Sequence, residues 1–438
     1  MPFKFIQPIN CLFCFVASLT ILSGCLKRTK TLENPTAVAR LKYLLDQKEY
    51  FKLEARFKID AANIDDKNRL FFKSYIDNAF NRNLECIKDV DSLLKINTYE
   101  LRDSEKVNLN RLQGDSYFKT FQYSKAAQND SNVLKLYSNA LSKDDVDDIK
   151  NDLIIRTALK KEAPQQTIIK NNSLLRWMKD ELGLVEIPII SQSQTFSCIF
   201  DTRANISSIT RTYAKKLGLR ILNATYDEGS GITGIKFKTG IGIADSLFIG
   251  DIKVKNAVFQ VMPDSILYFA SVPFQINIII GFPIIEQLQE VHIFKDGRMT
   301  IPLTPAKSDL HNFALDGLDP VISLKSGNDT LSFHFDSGAS SSDLYSAYFE
   351  KYKKRILKTG VKKTVGFGGA GGMQKKEVYV LPNFDVTLGN KSVTVDSITV
   401  ITKKIYPKEK FYGNIGQDFT NKFSEVIYNF KDMYIKGM

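Results

Sequence analysis

Asp201-Thr202-Arg203-Ala204 and Asp336-Ser337-Gly338-Ala339 lie 135 positions apart, and each closes an apolar, strand-like run. Two carboxylates brought together have an acid–base chemistry that neither has alone. One takes a proton from water while the other, still protonated, hydrogen-bonds the oxygen of the group under attack. Like charges about 3 Å apart raise one pKa and leave the pair sharing a proton, so no metal and no covalent nucleophile is required. The same offset recurs downstream. Ile279-Ile280-Gly281 follows the first aspartate and Asn414-Ile415-Gly416 the second, and runs at 291–296 and 426–432 match in turn. A duplicated domain is the simplest cause.

Each aspartate must then sit on a tight loop where two lobes meet. From about residue 184 onward Thr, Ser, Val, Ile and Gly dominate, with period-two runs at 378–381 and 393–400 and turn signals at Ser326-Gly327-Asn328, Asp296-Gly297 and Leu388-Gly389-Asn390. Two all-β lobes follow, at 184–305 and 318–438, joined by a polar linker over 304–317. Residues 36–170 are rich in Leu, Lys, Asp and Asn with few Pro or Gly. Apolar residues recur there at helical spacing, as in Leu41, Leu44 and Leu45 or Phe71, Tyr75 and Ala79. Trp177 is expected to close a last helical segment.

Leu112 to Tyr117, with Phe121, Tyr123, Ala126 and Ala127, resembles a tetratricopeptide helix pair, which implies a surface for a protein partner. Echoes near Tyr50 and Leu84 are spaced unevenly, by about 33 and then about 40 residues, against the expected repeat of about 34. A plain helical bundle acting as a spacer is the other reading.

The first 25 residues read as a targeting segment. Lys4 precedes an apolar stretch over 11–22, short for a bilayer span, which ends in Leu22-Ser23-Gly24-Cys25. This resembles a bacterial lipobox. The resemblance implies a lipid on Cys25, anchorage to a membrane of the bacterial cell envelope, and Lys27, Arg28 and Lys30 at the headgroups. An ordinary secretory signal or a weak membrane helix is the alternative. Cys86 and Cys198 remain beyond it, and Cys198 falls in a presumptive core strand, the place of a small buried hydrophobe.

Net charge is +12, but the lysines are spread along the chain and no nucleic-acid-binding module signature is present, so nucleic acid is not an expected partner. The three histidines, His292, His311 and His334, are scattered, and no cysteine pair has zinc-like spacing. No metal and no cofactor is expected.

The acidic motifs, with the apolar-apolar-Gly runs that follow them, resemble the pepsin-like and retropepsin-like aspartic proteases over both lobes. Phe335-Asp336-Ser337-Gly338-Ala339 and Ile279-Ile280-Gly281 fit the family pattern. In the other halves, Asp201-Thr202 is followed by Arg203 where the family has glycine, and Asn414-Ile415-Gly416 is a slightly polar version of its loop. The resemblance implies a helical array followed by a duplicated, two-lobe aspartic-protease-like β domain that cleaves a polypeptide through Asp201 and Asp336. Thr202 and Ser337 would fix the opposing loops through their hydroxyls, and Gly338, Ala339, Gly281 and Gly416 would complete the motifs. Glycine after the hydroxyl lets one loop pass close to the other, and Arg203 breaks that rule. A guanidinium aimed at the pair would lower its carboxylate pKa values, whereas one turned to solvent or to an acidic substrate would leave catalysis intact. A peptide-binding or assembly protein that has lost catalysis is the rival function.

Glycine-rich runs containing Gly231 and Gly234, and Gly368 and Gly369, again 135 positions apart, are candidate hairpins closing over the cleft and are too rich in glycine for packed strands. Neither carries the lysine and hydroxyl of a phosphate loop; a mobile surface turn is the bland alternative. His334 lies two residues before Asp336 where the other copy has Ile199, which makes it a core or supporting residue. Asn205 and Ser340 are equivalent positions beside the pair.

Overall fold

The computed structural model describes residues 34–96, 100–229, 236–270, 273–405 and 408–438. Cys25 with its apolar leader, and Gly231 and Gly234, lie outside these residues.

Among the described residues seven α-helices come first: α1 (Pro35–Asp46), α2 (Tyr50–Asp60), α3 (Asp66–Ala79), α4 (Asn83–Lys95), α5 (Asp103–Lys119), α6 (Tyr123–Tyr137) and α7 (Lys143–Leu159). Their starts are set by local chemistry. Asn34 Oδ1 accepts the N–H groups of Thr36 and Ala37, Asp65 Oδ1 that of Asn68, and Ser142 Oγ that of Asp145, satisfying donors a helix leaves unpaired.

Three of the turns between helices are alike. Lys48, Asn81 and Phe121 take φ of 55°, 58° and 57°. After each, an N–H closes on the carbonyl five residues back: Glu49 on Leu44 at 2.9 Å, Arg82 on Asp77 at 2.7 Å, and Gln122 on Tyr117 at 2.8 Å. This left-handed stop returns the chain antiparallel, so α1–α2, α3–α4 and α5–α6 are repeated helical hairpins.

The helices end at Leu159, earlier than composition suggests. Gln166–Ile168 instead pairs with Ile252–Met262, and Ser173–Arg176 pairs with Arg298–Ile301. Ser173 and Leu175 are buried and Leu174 and Arg176 exposed, the period of a strand. Trp177 closes no helix; its Nε1–H donates to the Phe294 carbonyl at 3.0 Å. The interlobe linker is likewise shorter than expected. Phe313–Asp316 is a strand pairing with Asp319–Ser326, and it buries Phe313, Ala314 and Leu315.

Among the described residues each lobe is dominated by one large sheet, of nine strands in the first and eight in the second. A five-stranded sheet joins them. In it Glu290–Phe294, the last strand of the first duplicated run, pairs antiparallel with Glu425–Asn429 from the second, with Val291 opposite Tyr428. The lobes thus share a floor.

The helical region is fastened to both lobes. Tyr123, Ile155 and Leu159 bury against Tyr226, Ile241 and Ile243 of lobe 1. Toward lobe 2, Tyr50 OH donates to Asp316 Oδ1 at 2.7 Å, and Lys408 Nζ meets Asp145 Oδ1 at 2.8 Å. Cys86 and Cys198 are both buried and free, and Cys198 Sγ rests 3.3 Å from the Ile187 carbonyl in the lobe 1 core.

Candidate active site

In lobe 1 the strand Gln194–Phe200 delivers Asp201, and Ile278–Ile280 runs parallel beside it with Ile279 opposite Ile199. In lobe 2 Asp329–Phe335 delivers Asp336, and Gly413–Ile415 runs parallel with Asn414 opposite His334. The loops are then closed by matching bonds. Asp201 N–H donates to Ile280 O at 3.0 Å and Asp336 N–H to Ile415 O at 2.9 Å. Gly281 N–H donates to Ser207 Oγ at 3.0 Å and Gly416 N–H to Ser342 Oγ at 2.9 Å. Phe282 N–H reaches Ala204 O at 2.8 Å, and Gln417 N–H reaches Ala339 O at 2.9 Å. Every partner in one copy is 135 positions from its counterpart, so the duplication read in the sequence is carried by the backbone.

Thr202 and Ser337 make four hydrogen bonds across the lobe boundary. Thr202 N–H donates to Ser337 Oγ at 2.9 Å and Ser337 N–H to Thr202 Oγ1 at 3.0 Å. The hydroxyls in turn donate to strand carbonyls of the opposite lobe, Thr202 to Phe335 at 3.2 Å and Ser337 to Phe200 at 2.8 Å. Both residues are buried, and a buried polar group left without a partner costs about 1–3 kcal/mol. This ring of bonds brings the two loops face to face.

The carboxyls flank Gly338. Its N–H donates to Asp336 Oδ1 at 2.9 Å, and a Cβ added to it would lie 2.3 Å from Asp201 Cγ. Only glycine fits. Across the axis, Arg203 N–H donates to Asp201 Oδ1 at 2.8 Å, so the backbone repeats the geometry at Gly338 with a side chain in the glycine's place. That side chain enters lobe 2: Nη1 donates to Asn414 Oδ1 at 3.3 Å and to Tyr345 OH at 3.4 Å, and Nε stands 3.7 Å from Asp319 Oδ1. Asn414 Nδ2 donates onward to Asp336 Oδ2 at 3.2 Å.

Burial, and then the neighbouring Asp336, push Asp201 up to about 7. Burial also raises Asp336, opposed by the Arg203 charge and the Asn414 amide. Below neutrality the pair therefore holds a proton, even with an arginine beside it.

Gly368 and Gly369 belong to paired strand rather than an open run: Gly368 stands opposite Met373 and Gly369 opposite Gly372. The hairpin Val361–Gly369 with Gly372–Leu388 carries its tip across to lobe 1. There Gly371 N–H donates to Ile266 O at 2.9 Å, and Ala370 packs on the cluster containing Leu184, Ile199 and Leu267. His334 is buried with its ring 4.5 Å from that of Phe411, while Asn205 and Ser340 are exposed.

Sequence reading missed Asp319, Asp343 and Tyr345. The signal was present in the duplication itself. These positions align with Leu184, Ser208 and Thr210 of lobe 1, so an in-register comparison exposes a carboxyl in place of a leucine, a carboxyl in place of a serine and a phenol in place of a threonine.

A family model described as aspartyl protease matches residues 187–284, which include Asp201 and Gly281. Among curated proteins none matches the chain. The crystal structure of conglutin gamma, a basic 7S globulin from lupine seeds, superposes at a TM-score of 0.40 with 9% identity, covering 61% of this chain and 94% of that one. With the architecture above, the family match makes this chain a helical array followed by a two-lobe region that contains an aspartyl-protease-like domain.

Proposed function

We propose that the chain is an aspartic endopeptidase, hydrolysing peptide bonds with a water activated between Asp201 and Asp336. The observation that carries this reading is the ring of four cross-lobe hydrogen bonds through Thr202 and Ser337, which holds both carboxyls at one interface. Asp336 as the carboxylate takes a proton from water while the hydroxide adds to the peptide carbonyl. Asp201 gives its proton to the oxygen on which negative charge develops. Collapse of the tetrahedral intermediate breaks the C–N bond, the nitrogen takes the proton from Asp336, and the oxygen's proton returns to Asp201. The hairpin with Gly368 and Gly369 would serve as a lid that keeps bulk water out.

The purified chain should cleave an unfolded protein near pH 5, and Asp336→Asn should abolish cleavage. Equal cleavage by both forms would reject the mechanism. The second reading, a peptide-binding or assembly protein without catalysis, is favoured by Arg203 in the place of glycine. Peptide binding with no cleavage by either form would select it.

We further propose that Cys25 carries a lipid that anchors the chain to a membrane of the bacterial cell envelope, and that the helical region, read as tetratricopeptide-like, recruits a protein partner. Cys25→Ser should move the chain from the detergent phase to the aqueous phase; an unchanged partition would remove the anchor from the account.

A further inference from the structure

The two halves of the site share a backbone but differ in what surrounds each aspartate. Around Asp201 lobe 1 places Leu184, Ile199, Ser208, Thr210 and Ile279; at the same five positions lobe 2 places Asp319, His334, Asp343, Tyr345 and Asn414. Strand register establishes the equivalence. Ile279 stands between Ile199 and Ser208, and Asn414 between His334 and Asp343. Three apolar residues, Leu184, Ile199 and Ile279, have polar counterparts in Asp319, His334 and Asn414, and the lobe 2 setting receives the side chain that breaks the motif, Arg203.

A guanidinium offers only donors, so Asn414 must turn its carbonyl oxygen toward Arg203 Nη1, at 3.3 Å. That orientation leaves the amide nitrogen facing Asp336 Oδ2, at 3.2 Å. Asp319 anchors the guanidinium from the far side at 3.7 Å, and Tyr345 OH accepts from it at 3.4 Å. With the Gly338 N–H on Oδ1, both oxygens of Asp336 accept hydrogen bonds. In lobe 1 the counterpart of Asn414 is Ile279, which has no side-chain donor to offer Asp201.

We propose that Arg203, Asn414 and Asp319 form a positioning relay that holds Asp336 as the carboxylate of the pair and leaves the shared proton on Asp201. This rests on the proposed reading of the pair as a proton-sharing dyad and assigns the roles within it. Donors directed at the charged form of an acid favour that form, and a nearby cation favours it further. The directions agree: Arg203 and Asn414 act against the burial that raises Asp336, while burial and Asp336 leave Asp201 at about 7.

Other groups facing the relay do not reverse this order. His334 is kept neutral by burial, which holds its pKa well below the usual range. Asp343, opposite Asn414 on the neighbouring strand, is pushed by burial to about 7, with Lys376 and Arg203 opposing. Burial raises Asp319, with Arg203 opposing; Asp316 and Lys48 lie beyond it and act in opposite senses.

The test is the pH profile of cleavage by the full chain. Asn414→Ile, which installs the lobe 1 residue, should raise the acid limb by about one unit and lower cleavage about tenfold at pH values below that limb, with the alkaline limb in place. Arg203→Gly should move the acid limb the same way, and Arg203→Lys should keep part of the wild-type profile. The double variant should shift no further than the larger single, because both act through one relay. Unmoved limbs, or shifts that add, would overturn the proposal.

A second measurement does not need turnover. In chain labelled with carboxyl-13C aspartate, signals assigned with Asp201→Asn and Asp336→Asn should show Asp336 titrating below Asp201, and Asn414→Ile should narrow that gap. Asp336 titrating above Asp201 would sink the relay while leaving the protease reading standing. If no form cleaves, the protease reading fails and the titration still decides the relay.

Discussion

Lobe 1 and lobe 2 present the same strand–loop–strand frame to the cleft, and the difference between them lies almost wholly in side chains. Lobe 1 surrounds its aspartate with Leu184, Ile199 and Ile279 but carries the irregular motif, Arg203. Lobe 2 has the regular motif, Gly338, but surrounds its aspartate with Asp319, His334, Asp343 and Asn414. Each departure answers the other: the side chain that lobe 1 adds is received by the polar groups that lobe 2 adds. A duplicated site need not stay symmetric. Once one copy loses its glycine, the opposite copy is the place where compensation fits.

The largest effects are expected at the carboxyls. Asp201→Asn and Asp336→Asn should each reduce cleavage by about 10²–10⁴-fold, the range of a lost acid–base group; a loss confined to one variant would show that the lobes do not act as a pair. Next comes the glycine that only lobe 2 keeps. Gly338→Ala would set a Cβ 2.3 Å from Asp201 Cγ, so it should suppress cleavage strongly and lower the melting temperature well beyond Arg203→Ala, which creates no clash and costs only the about 1–3 kcal/mol of stranding the buried Asn414 amide oxygen. Comparable melting losses in both would erase the asymmetry.

The cross-lobe ring sharpens the shared part. Thr202→Ala and Ser337→Ala should each cost about 1–3 kcal/mol in denaturant unfolding, since each strands buried donors. A loss in one lobe only would mean that the ring is not the common fastening.

A smaller effect concerns pH and stability. Asp201, Asp343 and Glu286 are raised to about 7, chiefly by burial. For a raised carboxyl the stabilising contribution is full below the unfolded pKa near 4 and is lost as pH rises through the folded value. Melting temperature should therefore fall from pH 5 to pH 8, and Glu286→Gln, outside the cleft, should flatten part of that slope. A melting temperature that rises over this interval would contradict the assignment.

Much of the site was legible because duplication gives one chain its own internal comparison. The aspartates, Thr202 and Ser337, and the glycines at 281 and 416 stand out through a fixed offset, and the backbone obeys that offset bond for bond. Asp319, Asp343 and Tyr345 carry no local signal, since Asp319 opens a strand, Asp343 and Tyr345 bracket Leu344 in a strand of two residues and a helix start, and the Arg203 that meets Asp319 and Tyr345 comes from the other lobe. Ser173–Arg176 reads as helix in the sequence because four residues carry too little period to outweigh the helical stretch before them; pairing with Arg298–Ile301 decides it. The docking of the helices onto Asp316 and Tyr226 depends on long-range contacts that no local pattern encodes.

The most direct test of a proton shared by Asp201 and Asp336 is the pH dependence of peptide cleavage by the wild-type chain. A shared proton gives a bell whose alkaline limb falls near pH 7, where Asp201 gives up its proton. Cleavage that is flat across pH 5 to 9, or that climbs above neutrality, would contradict it.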